Sequence, residues 1–340
     1  MAFRGVRTGT EYGAAYHYDN AGTGGQLTGT GRFRRITGPG LPGYVSPSTP
    51  GYGVEYARLA NSDLLEYTSY KSDANTTLAR TQRDYESNRN LLTGVYNWAS
   101  GTLSTFSTYA YTNDQLGRRT SVENPASDAF TITTFTAWAY NKRSELESAK
   151  RYEGTYTPNP QPEAENVPYR RLYGYDNIGN RENSTEGAST VSYYCPTDLN
   201  QYKYVGTTQP NCTSVTPTHV YDDDGNLILD GQFVYVWDAE NRLIEVAAVS
   251  PVNGDKKVKF VYDYMGRRVR KAVYTYDNGW LANPSQVEHF VYDGWNVVMV
   301  LNGIEENEVA RKYTWGLDLS GSIHGAGGIG GLLACEEPQA

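Results

Sequence analysis

The chain has 340 residues, a formal net charge of −8 and an isoelectric point near 5.2. This acidic balance weighs against nucleic-acid binding, which favours basic faces, so we expect no nucleic-acid partner. With 30 Tyr, only 20% charged residues and a mean hydropathy of −0.61, the composition is typical of a polar, tyrosine-rich β protein. No run of 18 apolar residues exists, so we expect no membrane-spanning segment.

The composition changes along the chain and predicts three regions. Residues 1–56 are rich in Gly and Pro and are expected to be irregular, with one early repeat; their start lacks the apolar core of a signal peptide. Residues 57–324 alternate in polarity and are expected to form a repeat sheet. Within them, 141–152 permits a helix by composition, but its β context favours a strand. Residues 325–340 are expected to form a Gly-rich tail.

A short motif recurs seven times between residues 18 and 296. Each copy has an aspartate followed three residues later by Gly or Asn. The pairs are Asp19 and Gly22, Asp114 and Gly117, Asp176 and Gly179, Asp222 and Gly225, Asp238 and Asn241, Asp263 and Gly266, and Asp293 and Asn296. Gly and Asn tolerate the left-handed backbone, and an opening Asp accepts a backbone N–H two residues on. Each copy therefore predicts a type I turn closed by a left-handed residue, a common hairpin connection.

Ring side chains flank these turns at alternate positions, which share one face of a strand. The repeat aromatics include Tyr18, Tyr175, Tyr221, Tyr235, Trp237, Tyr262 and Tyr292. An arginine often follows the turn, and its stem is expected to lie along an aromatic face. These residues are Arg118, Arg181, Arg242 and Arg267.

The three cysteines are too few for a disulfide scaffold, and no Cys/His spacing predicts a metal site. Cys195 and Cys212 bracket a loop and either form one bridge or remain two thiols.

Two further patterns resemble functional motifs. GAGGIGG at 325–331 contains GxGxxG, but only ten residues follow Gly330, too few for a dinucleotide-binding unit. The run Asp222–Asp224 lacks the Glu that a calcium loop needs, because its twelfth position is Phe233. HExxH and GxSxG motifs are absent. We therefore expect no catalytic residue, no metal, no cofactor and no enzymatic activity.

The strings YDNIGNR, YDDDGNL, WDAENRLIEV and YDYMGRRVRK resemble the YD repeats of Rhs (rearrangement hotspot) proteins. Similar repeats occur in the C components of insecticidal toxin complexes and in teneurins. The resemblance covers roughly residues 60–335 and implies an all-β fold, an antiparallel hairpin sheet that spirals as part of a cocoon-like shell. No Asp-Pro dipeptide exists, so the self-cleaving site and the associated core of that family are not carried over.

The sequence therefore favours a non-enzymatic shell segment that encloses or presents a toxin polypeptide. Its partners would be that toxin or the remainder of a larger Rhs chain. One alternative is a cell-surface glycan-binding module that uses exposed rings such as Trp295. Another is a remnant of a self-cleaving toxin, with cleavage near Asp318. The resemblance also implies an extracellular or cell-surface location.

Overall fold

The computed structural model describes residues 5–7, 10–12, 14–18, 33–38, 41, 53–60, 62–73, 76–99, 104–158 and 164–337. Over these residues the chain is a succession of antiparallel strands, with a short 3-10 helix at Val167–Tyr169. The all-β hairpin fold expected from the sequence is confirmed. In the same part of the chain, no helix has the length and apolarity that a membrane crossing requires.

Fourteen strands follow one another in a first sheet, where each strand pairs with its neighbours in sequence. They are β3 (Ala15–Tyr18), β4 (Phe33–Thr37), β5 (Gly53–Arg58), β6 (Leu65–Lys71), β7 (Thr77–Tyr85), β8 (Leu92–Ala99), β9 (Ser104–Asn113), β10 (Arg119–Asn124), β11 (Thr134–Tyr140), β12 (Leu146–Glu153), β13 (Arg171–Tyr175), β14 (Arg181–Glu186), β15 (Thr190–Pro196) and β16 (Tyr202–Gly206). Ahead of them, β1 (Gly5–Arg7) pairs with β2 (Thr10–Tyr12).

Ten strands form a second sheet in the same consecutive order. They are β17 (Val220–Tyr221), β18 (Leu227–Leu229), β19 (Phe233–Trp237), β20 (Leu243–Ala248), β21 (Lys256–Tyr262), β22 (Arg268–Thr275), β23 (Gln286–Asp293), β24 (Asn296–Asn302), β25 (Glu308–Trp315) and β26 (Leu332–Glu336). This order arises because antiparallel neighbours need only a short turn between them.

The chain divides into two compact units. The first, unit 1, contains Met1–Arg80 and Gln232–Ala340, and the second, unit 2, contains Thr81–Gly231. In unit 1 the side chains of Ile36, Val54 and Tyr56 are buried against Leu317. The Tyr70 hydroxyl donates a long hydrogen bond, 3.5 Å, to the Leu333 carbonyl at the same core. Residues more than 250 positions apart in the chain thus share one hydrophobic core.

The two ends of the chain differ from what their composition suggests. The described residues of 1–56 include four complete strands and the start of β5, where an irregular segment is expected. The expected tail contains β26, which pairs with β25 through Tyr313 and Cys335. Burial of Ile36 and Val54 against the distant Leu317 stabilises strand structure here. The local content of Gly and Pro does not predict a contact between residues so far apart in the chain.

Unit 2 is stabilised by small aromatic clusters on half-buried sheets. Phe135 is buried and stacks on Tyr152 with ring centroids 4.9 Å apart, and Tyr156 meets Phe135 edge-on. Tyr152 belongs to β12, so the strand expected over 141–152, rather than a helix, is confirmed for its second half. The first half, Asn141–Glu145, is a turn.

Cys195 and Cys212 form a disulfide, which settles the pairing that the sequence leaves open. It closes a loop with a sequence separation of 17 residues.

Replacing Cys212 with Ser should lower the free energy of unfolding of unit 2 by about 3 kcal/mol, because a crosslink of this span restricts the unfolded chain. Urea unfolding followed by tyrosine fluorescence measures the change.

The control for this variant is Cys335→Ser, since Cys335 is a free, exposed thiol. The control should unfold like the parent protein. A Cys212→Ser variant as stable as the control would show that the disulfide contributes nothing.

Candidate functional site, a ladder of linked turns

The turn at Asp263 shows what one copy of the repeat does. Oδ1 of Asp263 accepts hydrogen bonds from the backbone N–H groups of Met265 (2.9 Å) and Arg267 (3.0 Å). Oδ2 accepts one from Nε of Arg267 at 2.8 Å. The backbone closes through Gly266 N to Asp263 O, and Gly266 has φ +76°. One carboxylate thus satisfies two backbone donors of the turn and fixes the following arginine.

Four other predicted copies have the same geometry. The carboxylates of Asp114, Asp176, Asp222 and Asp238 each accept the N–H groups of the residues two and four positions on. Their left-handed residues are Gly117, Gly179, Gly225 and Asn241. Their second carboxylate oxygens accept from the side chains of Arg118, Asn180, Asn226 and Arg242.

The copy at 292–296 differs from the expected turn. Asp293 pairs directly with Asn296, so the loop has two residues, and the left-handed position is Gly294 at φ +58°. A glycine first in a two-residue loop is the signature of a type II′ hairpin, which needs no left-handed Asn. Asn296 is instead buried at 2% exposure, and its Nδ2 lies 3.4 Å from the Ile323 carbonyl.

The first copy can be placed only in part. Tyr18 is the last residue of β3, while Asp19 and Gly22 lie outside the described residues. Tyr235 and Trp237 lie on β19 and are half-buried.

Two further turns have the repeat geometry without the repeat aspartate. At Asn141, Oδ1 accepts the N–H groups of Arg143 and Glu145, with Ser144 left-handed. At Thr197, Oγ1 accepts the N–H groups of Leu199 and Gln201 at 3.2 and 3.3 Å, with Asn200 left-handed. Asn and Thr form these turns for the same reason as Asp, so a search for any short oxygen side chain would have found both.

Within each unit, side chains of successive turns reach the next turn along the sheet, and we call these contacts the turn ladder. In unit 2 its links are Arg89 Nη1 to Asp114 O (2.7 Å), Arg118 Nη1 to Ser144 Oγ (3.0 Å), Arg143 Nη2 to Asp176 O (2.6 Å), Asn180 Nδ2 to Asn200 Oδ1 (3.2 Å) and Gln201 Nε2 to Gly225 O (3.3 Å). In unit 1 they are Arg242 Nη1 to Asp263 O (3.2 Å) and Arg267 Nη1 to Gly294 O (2.5 Å). Consecutive hairpins are therefore joined by side chains as well as by their strands.

Where a tyrosine precedes the turn, it adds a second link. The Tyr262 hydroxyl donates to the Leu243 carbonyl at 2.7 Å, just after the preceding turn. The same relation connects Tyr140 with Arg119, Tyr175 with Leu146, Tyr221 with Tyr202, and Tyr292 with Arg268. The recurrence of Tyr at this position thus has a hydrogen-bonding reason that the sequence pattern does not show.

The turn arginines also stack on these rings, as the sequence predicts for Arg118, Arg242 and Arg267. Their guanidinium carbons lie 4.7, 5.6 and 5.0 Å from the ring centroids of Tyr140, Tyr262 and Tyr292, respectively. Arg181 lies over Tyr173 at 4.7 Å. The first three stacks add a cation–π attraction to the link between hairpins, and the Arg181 stack adds one within its own hairpin.

The turn carboxylates are ionised at neutral pH. Burial raises the pKa of Asp263, but the hydrogen bonds from the backbone and guanidinium of Arg267 outweigh it and hold this pKa below its ordinary value. For Asp222, hydrogen bonds from the Asn226 side chain and backbone lower the pKa and outweigh desolvation. Burial raises the pKa of Tyr262, so its hydroxyl remains a donor.

Replacing Asp263 with Ala should open its turn. We expect the amide protons of Met265 and Arg267 to exchange at least roughly tenfold faster, because both lose their acceptor. Hydrogen exchange followed by mass spectrometry measures this. The control is Asp223→Ala, at an exposed turn residue, which should leave exchange unchanged. Equal exchange in the Asp263→Ala variant and the control would contradict the assigned role.

Asp318 organises the glycine-rich segment after β25. Its carboxylate is 6% exposed; Oδ1 accepts from Ser320 N (2.9 Å) and Oγ (2.6 Å), and Oδ2 from Ala326 N (2.6 Å) and Gly328 N (3.2 Å). Desolvation raises the pKa of Asp318, but these donors outweigh it and lower the pKa to about 2. The GAGGIGG motif is thus a tight loop around a carboxylate. Self-cleavage near Asp318 stays a prediction.

No protein-family model matches the chain. Over 148 residues, 42% of its length, the chain is 32% identical to the tRNA nuclease WapA of Bacillus subtilis strain 168 and to the tRNA3(Ser)-specific nuclease WapA of Bacillus spizizenii. Over 97 residues it is 35% identical to the tRNA(Glu)-specific nuclease WapA of Bacillus subtilis subsp. natto. The chain spans only 5% of the length of the first two relatives.

In three dimensions the chain is similar to the crystal structure of TcdB2-TccC3. The TM-score is 0.53 at 13% sequence identity, and the match covers 91% of this chain and 18% of the other. At this identity the likeness supports the fold alone, and it agrees with the antiparallel repeat architecture described above.

The expectation of a protein without enzymatic activity is wrong, because the relatives matched over 148 residues are named tRNA nucleases. The repeat motif describes strands and turns. It carries no information on the activity of a longer polypeptide that contains them.

Proposed function

We propose that this chain is the carrier part of a longer nuclease-type toxin, in which its sheets form a wall around the polypeptide that cleaves tRNA. The observation that carries the proposal is the turn ladder, since an enclosing wall has to be continuous from one hairpin to the next. Similarity to WapA tRNA nucleases over about 5% of their length supports a place in a larger toxin. The likeness to TcdB2-TccC3 supports the architecture.

One sheet face in unit 1 is suited to cover a polypeptide. Val234, Val236 and Val261 are 40%, 42% and 47% exposed. The pairing of Val236 with Glu245, and of Glu245 with Lys259, places Val236 on the same face as Val261, two residues beyond Lys259. Glu245 and Lys259, ion-paired at 3.0 Å, lie between these valines, so this face is a mixed apolar and charged surface that a bound polypeptide would cover.

The disulfide supports the proposed extracellular or cell-surface location. Disulfides persist in oxidising compartments and are rare in reducing ones. Cys195 is fully buried, so this bond is part of the packed structure of unit 2.

Limited proteolysis tests the carrier role on the longer polypeptide encoded by the reading frame that contains this chain. With the sheets intact, the nuclease part should resist protease. A variant with Asp263→Ala and Arg267→Ala, which breaks the ladder, should expose the nuclease part to degradation. The control is Asp223→Ala. Equal protease sensitivity of the nuclease part in all three proteins would contradict enclosure.

A glycan-binding role is a second candidate, favoured by two exposed rings on linked turns. Tyr264 is 92% exposed and Trp295 is 53% exposed, and the Arg267 side chain joins their turns. Neighbouring exposed rings offer stacking surfaces for sugars. Binding on a glycan array that disappears with Trp295→Ala, but persists with Leu319→Ala, would support this role. An array without any binding would exclude it.

A further inference from the structure

The four strands β4 to β7 have one apolar and one polar face. Ile36 and Val54 pair across β4 and β5 and point into the core of unit 1. Arg35 pairs with Glu55, and Glu55 with Ser69, so these three residues lie on the opposite face.

The polar face contains a cavity of about 380 Å³. This volume lies near the lower end of the range of about 300–1,000 Å³ that is usual for small-molecule sites. The residues that matter for its chemistry are Arg34, Glu55, Tyr67, Ser69, Lys71 and Arg80.

The lining has three cations and one carboxylate in a chain whose net charge is −8. That carboxylate, Glu55, is already compensated, since it lies 3.2 Å from Nζ of Lys71 and 4.0 Å from Nη1 of Arg35. Within the described residues, neither Arg34 nor Arg80 forms an ion pair with a carboxylate. The lining of the cavity therefore has a formal charge of +2, opposite in sign to the net charge of the whole protein.

Arg80 is held in place before any ligand arrives. Its Nε donates to Ser69 Oγ at 3.2 Å, and its guanidinium carbon lies 4.9 Å from the centroid of the Tyr67 ring. These two contacts leave the Nη groups of Arg80 to donate elsewhere. A guanidinium fixed in this way is suited to paired hydrogen bonds with an oxyanion.

We propose that this cavity binds the phosphate monoester group of a small molecule. A phosphate monoester has a charge of about −1.5 to −2 near pH 7, which matches the formal charge of +2 on the lining. Its three terminal oxygens accept the donors of Arg34, Arg80 and Lys71. The cavity volume leaves room for an organic part beside the phosphate. The proposal is independent of the carrier role.

Isothermal titration of the 340-residue chain with inorganic phosphate and with glucose 6-phosphate tests the site. We expect saturable one-to-one binding that weakens with added salt. Arg80→Gln should weaken the affinity for both at least tenfold. Arg34→Gln should do the same, and because Arg34 is exposed this variant leaves the fold intact. Lys142→Gln, at an exposed turn residue, removes the same charge elsewhere and should bind like the parent protein.

Three outcomes overturn the proposal. The first is the absence of saturable binding to both phosphates. The second is unchanged affinity in a folded Arg34→Gln variant. The third is tighter binding of a short oligonucleotide or a glutamate-rich peptide than of glucose 6-phosphate, which would assign the cavity to a phosphodiester or a carboxylate instead. Glucose without phosphate should not bind.

Discussion

The Asp318→Ala variant should unfold about 5–10 °C below the parent protein. Asp318 is buried and accepts four hydrogen bonds, from Ser320 N and Oγ, Ala326 N and Gly328 N. Alanine removes this acceptor from all four donors, and the N–H of the buried Gly328 in particular is left without it, which is destabilising. Thermal unfolding followed by near-UV circular dichroism measures the shift. The control is Asp277→Ala, at an exposed carboxylate, for which we expect no shift of that size.

The stabilisation by Asp318 should also depend on pH. The pKa of this carboxyl is about 2 in the folded protein, against 3.8 for an ordinary Asp. A lowered pKa in the folded state means that the contribution is complete above about pH 4 and is lost as the pH falls toward 2. The parent protein should therefore lose stability over this window more steeply than an Asp318→Asn variant. Equal slopes for the two proteins would contradict the assigned role of the carboxylate.

The Ile36→Ala variant should lose about 2–5 kcal/mol of unfolding free energy, the usual cost of truncating a buried aliphatic side chain. Ile36 is 0% exposed and belongs to the cluster of Phe33, Val54, Tyr56 and Leu317. The variant leaves a cavity where β4 meets the segment after β25. Chemical denaturation measures the loss.

The matched control for this variant is Leu319→Ala. Leu319 lies in the same unit, two residues from Leu317, and is 78% exposed. Its truncation should change stability by less than about 0.5 kcal/mol. If both variants lose the same small amount, the two ends of the chain do not share the core described here.

The turns were predictable because their chemistry is local. Asp263 and Gly266 are three residues apart, and their turn depends on one side-chain acceptor and one left-handed residue. The same reasoning misplaces Asn296, because Gly294 satisfies the need for a left-handed residue first. It also misses Asn141 and Thr197, which form the same turn with a different oxygen.

The rest of the site depends on contacts between segments that the sequence does not place together. The link from Arg242 to Asp263, and from Tyr262 to Leu243, requires two hairpins to be in register. The core between Ile36 and Leu317 joins residues at opposite ends of the chain. The repeat patterns also carry no information on the tRNA nuclease activity for which the WapA relatives are named, since those relatives are far longer than this chain.

Hydrogen exchange of an Arg242→Gln variant tests most directly whether the turns form a ladder. Arg242 contacts Asp238 in its own turn and the Asp263 carbonyl in the next one. We expect faster exchange in both 238–242 and 263–267, with Arg270→Gln as a control that changes neither. Faster exchange confined to 238–242 would show that each hairpin stands alone, and the wall proposed here would lose its physical basis.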